Sequence, residues 1–162
     1  MVHPCTCGIP ANIVSPSKEI QRTSRENSEC ILIGKIRVLD VKKQLFKLTV
    51  IESLDGANLQ DNVYLGKGWK TCEPYITHDA TWLIYGYTED GFLRPNICGI
   101  SRGFDTFTDK YFKGFGNEIL DNDSKSMYAE IRKDFLSTLY LELKALRHIR
   151  HKKSIHNPNS NI

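Results

Sequence analysis

The sequence predicts a mainly β fold with flanking helices: a closed or nearly closed five-stranded antiparallel barrel followed by a long C-terminal amphipathic helix. Three observations predict it. Five short segments carry the alternation or the β-branched and aromatic residues of strands, turn-forming stretches separate them, and no helical pattern lies between them. Parallel neighbours need long crossover connections, so these strands should pair antiparallel. Closing the sheet removes the exposed edges that an open sheet of five short strands would leave.

The predicted strands occupy residues 30–39, 45–51, 62–65, 81–87 and 92–98. Residues 40–44 join the first two strands as a hairpin, and Glu89-Asp90-Gly91 turns the chain between the last two. Gly34 and Gly86 lie inside strand patterns, where a glycine marks a bend or a close approach of the backbone. Such bends let strands coil around a small core.

Helices are predicted on both sides of the strands. Ser15-Pro16 indicates an N-cap followed by proline at the first helical position, and so a short polar helix over 17–27 after an irregular segment 1–14. From about Ser126, apolar residues recur at spacings of three and four, which predicts an amphipathic helix capped by Asp123 or Ser124. Its apolar stripe consists of Met127, Ile131, Phe135, Leu139, Leu143 and Leu146. We expect the stripe to pack on the barrel; a partner-binding or dimer helix is the alternative.

These patterns divide the chain into a barrel with its N-terminal segment (1–124), a C-terminal helix (125–153) and a disordered tail (154–162). Residues 99–124 have a loop-like composition but a high density of aromatic side chains. We expect this loop to pack over one mouth of the barrel, where it would bury aromatic area. An exposed aromatic binding surface is the alternative.

The net charge of the chain excludes few classes of partner, but the charged residues are unevenly distributed along the sequence. The formal net charge of +3 is too small to argue for nucleic acid as a partner, and no apolar run approaches the roughly 18 residues of a membrane span. Four cations cluster near the C-terminus: Arg147, Arg150, Lys152 and Lys153. They suit the negative end of a helix macrodipole, and a contact with a polyanion or a membrane surface is the sharper alternative.

The sequence carries no persuasive catalytic motif, and we expect neither an enzyme nor a bound cofactor. It has no Gly-x-Ser-x-Gly, no phosphate loop, no dinucleotide fingerprint and no His-Glu-x-x-His. Cys72 and His78 lie close enough in the chain to be considered as a nucleophile pair, but proximity in sequence is weak evidence for catalytic geometry.

The five cysteines indicate disulfides. An odd number leaves at least one cysteine unpaired within the chain. Cys5 and Cys7 are one residue apart, so an extended segment points their side chains in opposite directions, which suits two separate disulfides better than one shared ion. A zinc site that adds Cys72, Cys98 or His3 to this pair is disfavoured, because structural zinc sites usually space paired cysteines by two to four residues. Free thiols are the third possibility.

Several segments together resemble netrin-like domains, the family that includes the tissue inhibitors of metalloproteinases. The resemblance covers roughly residues 5–104 and rests on the order and spacing of its segments. The matching segments are Cys5-Thr6-Cys7, Ile31-Leu32-Ile33-Gly34-Lys35-Ile36, Val63-Tyr64-Leu65 with Cys72, Thr81-Trp82-Leu83-Ile84-Tyr85-Gly86, Asp90-Gly91 and Ile97-Cys98. The chain has a cysteine-free helical end instead of a second disulfide-rich domain, so it is more similar to single-domain, bacterial-type netrin-like proteins.

The resemblance implies an OB-like five-stranded barrel with two disulfides, Cys5–Cys72 and Cys7–Cys98, that tie the N-terminal segment to it. Each bond would close a long loop and contribute roughly 4 kcal/mol in the chain-entropy model. Cys30 has no partner in this scheme, and we expect it to be a small buried apolar residue.

The resemblance also implies a route to protease inhibition. In the animal inhibitors, the free amine and the carbonyl of the N-terminal cysteine chelate the protease's zinc, and the next residue enters its specificity pocket. By position these residues would be Cys5 and Thr6. Residues 1–4 precede Cys5 here, and they would block the protease's zinc because a peptide nitrogen is not an amine. Inhibition by this route therefore requires their removal.

The sequence thus predicts a non-catalytic, extracytoplasmic module that binds a protein, with a zinc metalloproteinase as a candidate partner. Residues 1–4 contain no secretory signal, so the expected history is a mature chain with an added start Met; a cytosolic protein with reduced thiols is the alternative. We expect a secreted, periplasmic or cell-surface location. The alternative functions are a metalloproteinase inhibitor processed to start at Cys5 and an OB-like protein that binds glycans or nucleic acids.

Overall fold

The computed structural model describes residues 11–58, 60–108 and 121–156. The elements in these ranges are α1 (Ala11–Val14), α2 (Lys18–Glu26), β1 (Cys30–Asp40), β2 (Leu45–Ser53), β3 (Val63–Lys67), β4 (Ala80–Glu89), β5 (Phe92–Pro95), β6 (Arg102–Gly103) and α3 (Asn122–His156). Strands β1 to β5 form a closed barrel, β6 adds a short strand beside β4, and α3 covers one side. The predicted OB-like barrel with a long C-terminal helix is confirmed.

The barrel closes through one parallel pair of strands. β1 pairs antiparallel with β2 and β4, β2 pairs antiparallel with β3, and β4 pairs antiparallel with β5. Strand directions cannot alternate all the way around a ring of five, so β3 and β5 run parallel where they meet, with Gly66 opposite Leu93. The prediction of uniformly antiparallel pairing was therefore wrong for this pair. The long connection that a parallel pair needs contains β4 itself.

The barrel interior is filled by side chains that alternate along β1, β2 and β4. The buried members are Cys30, Leu32, Ile36, Phe46, Leu48, Val50, Ile76, Trp82, Ile84 and Leu93. Gly34 also faces inward, because a Cβ added there would lie 2.6 Å from the Leu48 side chain. The β1–β2 register shifts between Ile33 and Gly34, which confirms the predicted bend.

A second core lies between the outer face of β1 and β4 and the helix α3. Phe135, Leu139, Leu143 and Leu146 of α3 are buried against Ile31, Ile33, Leu83 and Tyr85. Both faces of β1 and β4 are consequently buried, one inside the barrel and the other beneath the helix. The prediction that the helical stripe packs on the barrel is confirmed for these four residues, whereas Met127 is 53% exposed near the start of the helix.

Helix α3 is longer than predicted at both ends. It begins at Asn122 because Asp121 caps it, with the Asp121 carboxylate accepting the Ser124 N–H at 2.7 Å. The predicted caps, Asp123 and Ser124, were wrong. The helix runs to His156, so residues 154–156, which were expected in the tail, are helical. Residues 157–162 lie outside the described ranges.

The N-terminal helices also differ from the prediction. α2 is capped by Ser17, whose Oγ accepts the Ile20 N–H at 3.2 Å, and not by Ser15. Pro16 thus precedes the cap instead of following it. The short helix α1 lies within a segment that was predicted to be irregular.

Two aromatic residues of the 99–124 segment pack beneath α3 and not over a barrel mouth. Phe104 and Phe107 are partly buried against the second core. The ring of Phe107 lies 5.7 Å from that of Phe135, edge to face, and 6.4 Å from that of Tyr128. The helix supplies the apolar surface that these rings cover. Residues 109–120 of the segment are outside the described ranges.

None of the described helices has the length and apolar character needed to cross a membrane.

Candidate functional site

The structure brings Cys72 and Cys98 together at one end of the barrel. The Cys98 N–H donates to the Glu73 carbonyl oxygen at 2.9 Å, so residue 98 lies beside the chain next to Cys72. Cys72 and Cys98 are each disulfide-bonded. Cys5 and Cys7 lie outside the described ranges, as does Thr6, so the pairings Cys5–Cys72 and Cys7–Cys98 stay predictions.

Cys30 is chemically unlike those two cysteines. It is a free thiol at the start of β1, buried in the barrel core. Burial raises the pKa of Cys30 to about 12, with smaller contributions from Asp55 and Glu29. A thiol with so high a pKa is almost never a thiolate near neutral pH, and it serves as a small apolar side chain, as expected.

Side chains that flank the two disulfide-bonded cysteines hold the backbone there in place. Trp69 donates from Nε1 to the Pro95 carbonyl oxygen at 2.8 Å, and the Arg94 guanidinium lies 3.9 Å above its ring. These contacts join the segment before Cys72 to the strand that leads to Cys98. The backbone at Cys98 has a φ of 52°, in the left-handed region, which is maintained by the contacts around it.

A groove lies between α2 and the segment that contains Cys98. Its volume is about 520 Å³, and its lining includes Ile20, Tyr87, Asn96, Ile97 and Cys98. Ile97 is 46% exposed at its rim. We call this groove and the two adjacent half-cystines the cysteine end of the barrel.

The basic cluster at the end of α3 is divided by the fold. Arg147 donates to both carboxylate oxygens of Glu52 at 3.0 and 2.8 Å, and Arg150 donates to Glu52 and to the Ser53 carbonyl oxygen at 3.0 and 2.7 Å. Both arginines therefore tie α3 to β2. Lys152 and Lys153 are exposed on the last turns of the helix.

Replacing Glu52 with glutamine should lower the free energy of unfolding by about 1 kcal/mol at neutral pH, since the carboxylate accepts hydrogen bonds from two arginines at a partly exposed site. Arg147, assisted by Arg150, holds the pKa of Glu52 below its usual 4.5. A lowered pKa gives stability that is present above the unfolded value and is lost as the pH falls through the folded value. Thermal melts of both proteins should therefore differ at pH 7 and converge as the pH falls below 4.5; a constant difference would contradict this.

A buried ion pair between β6 and α3 was missed from the sequence. Arg102 and Glu142 are almost fully buried and form an ion pair from Nη2 to Oε2. The Tyr85 hydroxyl donates to Glu142 at 2.6 Å, and Arg102 also donates to the Ile100 carbonyl oxygen at 2.8 Å. Burial, followed by the charge of Glu142, raises the pKa of Tyr85. Arg102, Tyr85 and Glu142 belong to β6, β4 and α3 and are buried where the helix packs on the barrel, which favours a role in holding α3 to the barrel.

His78 is arranged with partners other than Cys72. Its Nε2 lies 2.6 Å from an Asp105 carboxylate oxygen, and its Nδ1 lies 3.1 Å from the Thr77 hydroxyl. The Cys72 sulfur is committed to a disulfide and is not a nucleophilic thiol. The Cys72–His78 nucleophile pair considered from the sequence is therefore wrong.

The described residues thus provide a disulfide-bonded end with a groove, a divided basic cluster and a buried ion pair. Within residues 11–58, 60–108 and 121–156, no group of three or more His, Cys, Asp or Glu side chains is placed to hold a metal ion. Comparing the sequence with protein-family models and with curated proteins finds no match.

Proposed function

We propose that the chain is a non-catalytic protein-binding module of an extracytoplasmic compartment, and that its partner binds at the cysteine end of the barrel. The observation that carries the proposal is the meeting of two disulfide-bonded cysteines beside a groove with an exposed isoleucine. Disulfides persist in oxidising compartments and are rare in the cytosol, which supports a secreted, periplasmic or cell-surface location.

The resemblance to netrin-like domains supports a protein as the partner. Bonds Cys5–Cys72 and Cys7–Cys98 would attach the N-terminal segment at the same end of the barrel as the groove. A zinc metalloproteinase is then the first partner to test. The polyanion alternative has weaker support, because Arg147 and Arg150 form ion pairs with Glu52. Of the four cations predicted to contact a polyanion, this leaves Lys152 and Lys153.

Disulfide mapping tests the covalent part of the proposal. Non-reduced peptide mapping of protein secreted into an oxidising compartment should recover peptides that join Cys5 to Cys72 and Cys7 to Cys98, with Cys30 alkylated as a free thiol. Recovery of Cys5 and Cys7 as free thiols would remove the basis of the proposal.

Inhibition of a zinc metalloproteinase is expected only from protein that starts at Cys5. The form that begins at Met1 should be weaker by roughly 100-fold or more, because a lost metal contact at the centre of an interface costs about 3 kcal/mol. Progress-curve assays against a panel of zinc metalloproteinases measure the difference. The matched control is the Cys5 form with an acetylated amine, which alters only the proposed zinc ligand. If both native N-termini are inactive across the panel, the partner is not a protease inhibited in this way.

A further inference from the structure

The outer surface of β1, β2 and β3 carries three cationic side chains that lie outside the second core. Strand register places Lys35, Thr49 and Val63 in one row across the three strands, and Arg37, Lys47 and Leu65 in the next. Alternate residues of the same strands, such as Ile36 and Leu48, fill the barrel. We call these six outward-facing residues the basic face.

The cations of the basic face are placed at a cost to stability. Arg37 lies directly opposite Lys47 on the neighbouring strand, and like charges in that position destabilise a sheet. All three cations are exposed, and none forms an ion pair or a side-chain hydrogen bond with a described residue. The basic face contains no carboxylate. Asp79, on the neighbouring connection, has one carboxylate oxygen occupied by the Val38 N–H at 2.8 Å.

The basic face is also apolar on one side. Val63 is 55% exposed and Leu65 is 47% exposed, both on β3 beside the cations. Single-stranded nucleic acids bind OB-like barrels by stacking bases on aromatic side chains, and the basic face has none. A sulfated glycan would satisfy the cations but leave both aliphatic side chains in water. A protein segment that mixes carboxylates with apolar residues would satisfy the two parts of the face together.

We infer that the basic face docks an acidic, amphipathic segment of the partner protein. This inference rests on the proposed protein-binding function and adds a second contact, away from the cysteine end. β2 is paired on both sides, by β1 and by β3, so the segment would contact Lys47 and its neighbours through side chains and not as an added strand at that position. Charge attraction would bring the segment to the face, and Val63 and Leu65 would provide the apolar contact.

Replacing Lys47 with glutamate separates docking from folding. The new carboxylate would lie opposite Arg37, so a like-charge pair becomes an opposite-charge pair and the melting temperature should rise by roughly 1–3 °C. The same change should weaken docking by roughly tenfold or more. The probe is a fluorescein-labelled peptide of alternating Glu and Leu, measured by fluorescence anisotropy at low and high salt. The matched control is Lys144→Glu, which changes the net charge equally at an exposed position of α3.

The peptide-binding measurements can support the docking face, contradict it or assign it to another class of ligand. Weaker binding by K47E with unchanged binding by K144E supports the docking face, and Val63→Ser with Leu65→Ser should weaken peptide binding further. No binding of the peptide by the wild-type protein, or equal weakening by K144E, would overturn the inference. Tighter binding of a heparin oligosaccharide or of oligo-dT than of the peptide would reassign the face to a polyanion. Disulfide mapping and the protease panel do not involve Lys47, so they test the proposed function separately.

Discussion

Replacing Glu142 with glutamine is expected to lower the free energy of unfolding by about 3–5 kcal/mol, the range that is typical when one partner of a buried ion pair is removed. Glutamine keeps the size of the side chain and can still accept from the Tyr85 hydroxyl. It removes the charge that compensates Arg102, which is 2% exposed. Urea denaturation monitored by tryptophan fluorescence measures the change, and a loss below about 1 kcal/mol would show that the pair is not essential.

The cost is high because Arg102 has few other partners. One nitrogen donates to the Ile100 carbonyl oxygen, its Nε has no hydrogen-bond partner among the described atoms, and the ring of Phe135 lies 5.6 Å away. Without Glu142 the guanidinium would be left charged in an apolar layer. Phe135 and its neighbours would have to open to admit water, and α3 would loosen from the barrel.

The double replacement Arg102→Met with Glu142→Gln is the matched control. It removes the charge that E142Q leaves uncompensated and keeps an acceptor for the Tyr85 hydroxyl, so the double variant should recover much of the stability lost by E142Q. The costs of the single changes should therefore not add, with a coupling of at least about 1 kcal/mol. Simple additivity would mean that the two residues act independently, and that the loss in E142Q has another cause.

The local sequence pattern was enough to predict β1 to β5, because each of these strands shows its own run of strand-forming residues. Along β1 and β4, alternation and β-branched content are visible in short windows, and turn residues mark their ends. The parallel meeting of β3 and β5 carries no local signal, since it follows from closing a ring with an odd number of strands. β6 is two residues long, too short for any period to be detected.

The contacts that hold α3 could not be predicted because they join residues far apart in the chain. Arg102 meets Glu142 across 40 positions, and Arg147 meets Glu52 across 95. One signal was present: Glu142 lies three residues after Leu139 and four before Leu146, on the apolar stripe. A carboxylate in such a position indicates a buried partner, although the partner cannot be named from the sequence.

Removing the disulfides should destabilise the barrel by about 2–5 kcal/mol for each bond lost, because a cross-link limits the freedom of the unfolded chain. Protein that carries Cys72→Ser and Cys98→Ser should unfold at lower urea than the wild type and should no longer respond to reductant. Wild-type protein should move towards the double variant when reductant is added. Cys30→Ala is the matched control: it removes the free thiol and should keep the full response to reductant.

The cost of single and paired replacements identifies which cysteines are joined. If Cys5 bonds Cys72, then Cys5→Ser and Cys72→Ser break the same bond, and the double variant should lose no more than either single variant. Cys5→Ser combined with Cys98→Ser should instead break two bonds and show the sum of their costs. If Cys72 and Cys98 were joined to each other, Cys5→Ser would leave the response to reductant intact. The N-terminal segment would then lack the tether that brings it to the cysteine end.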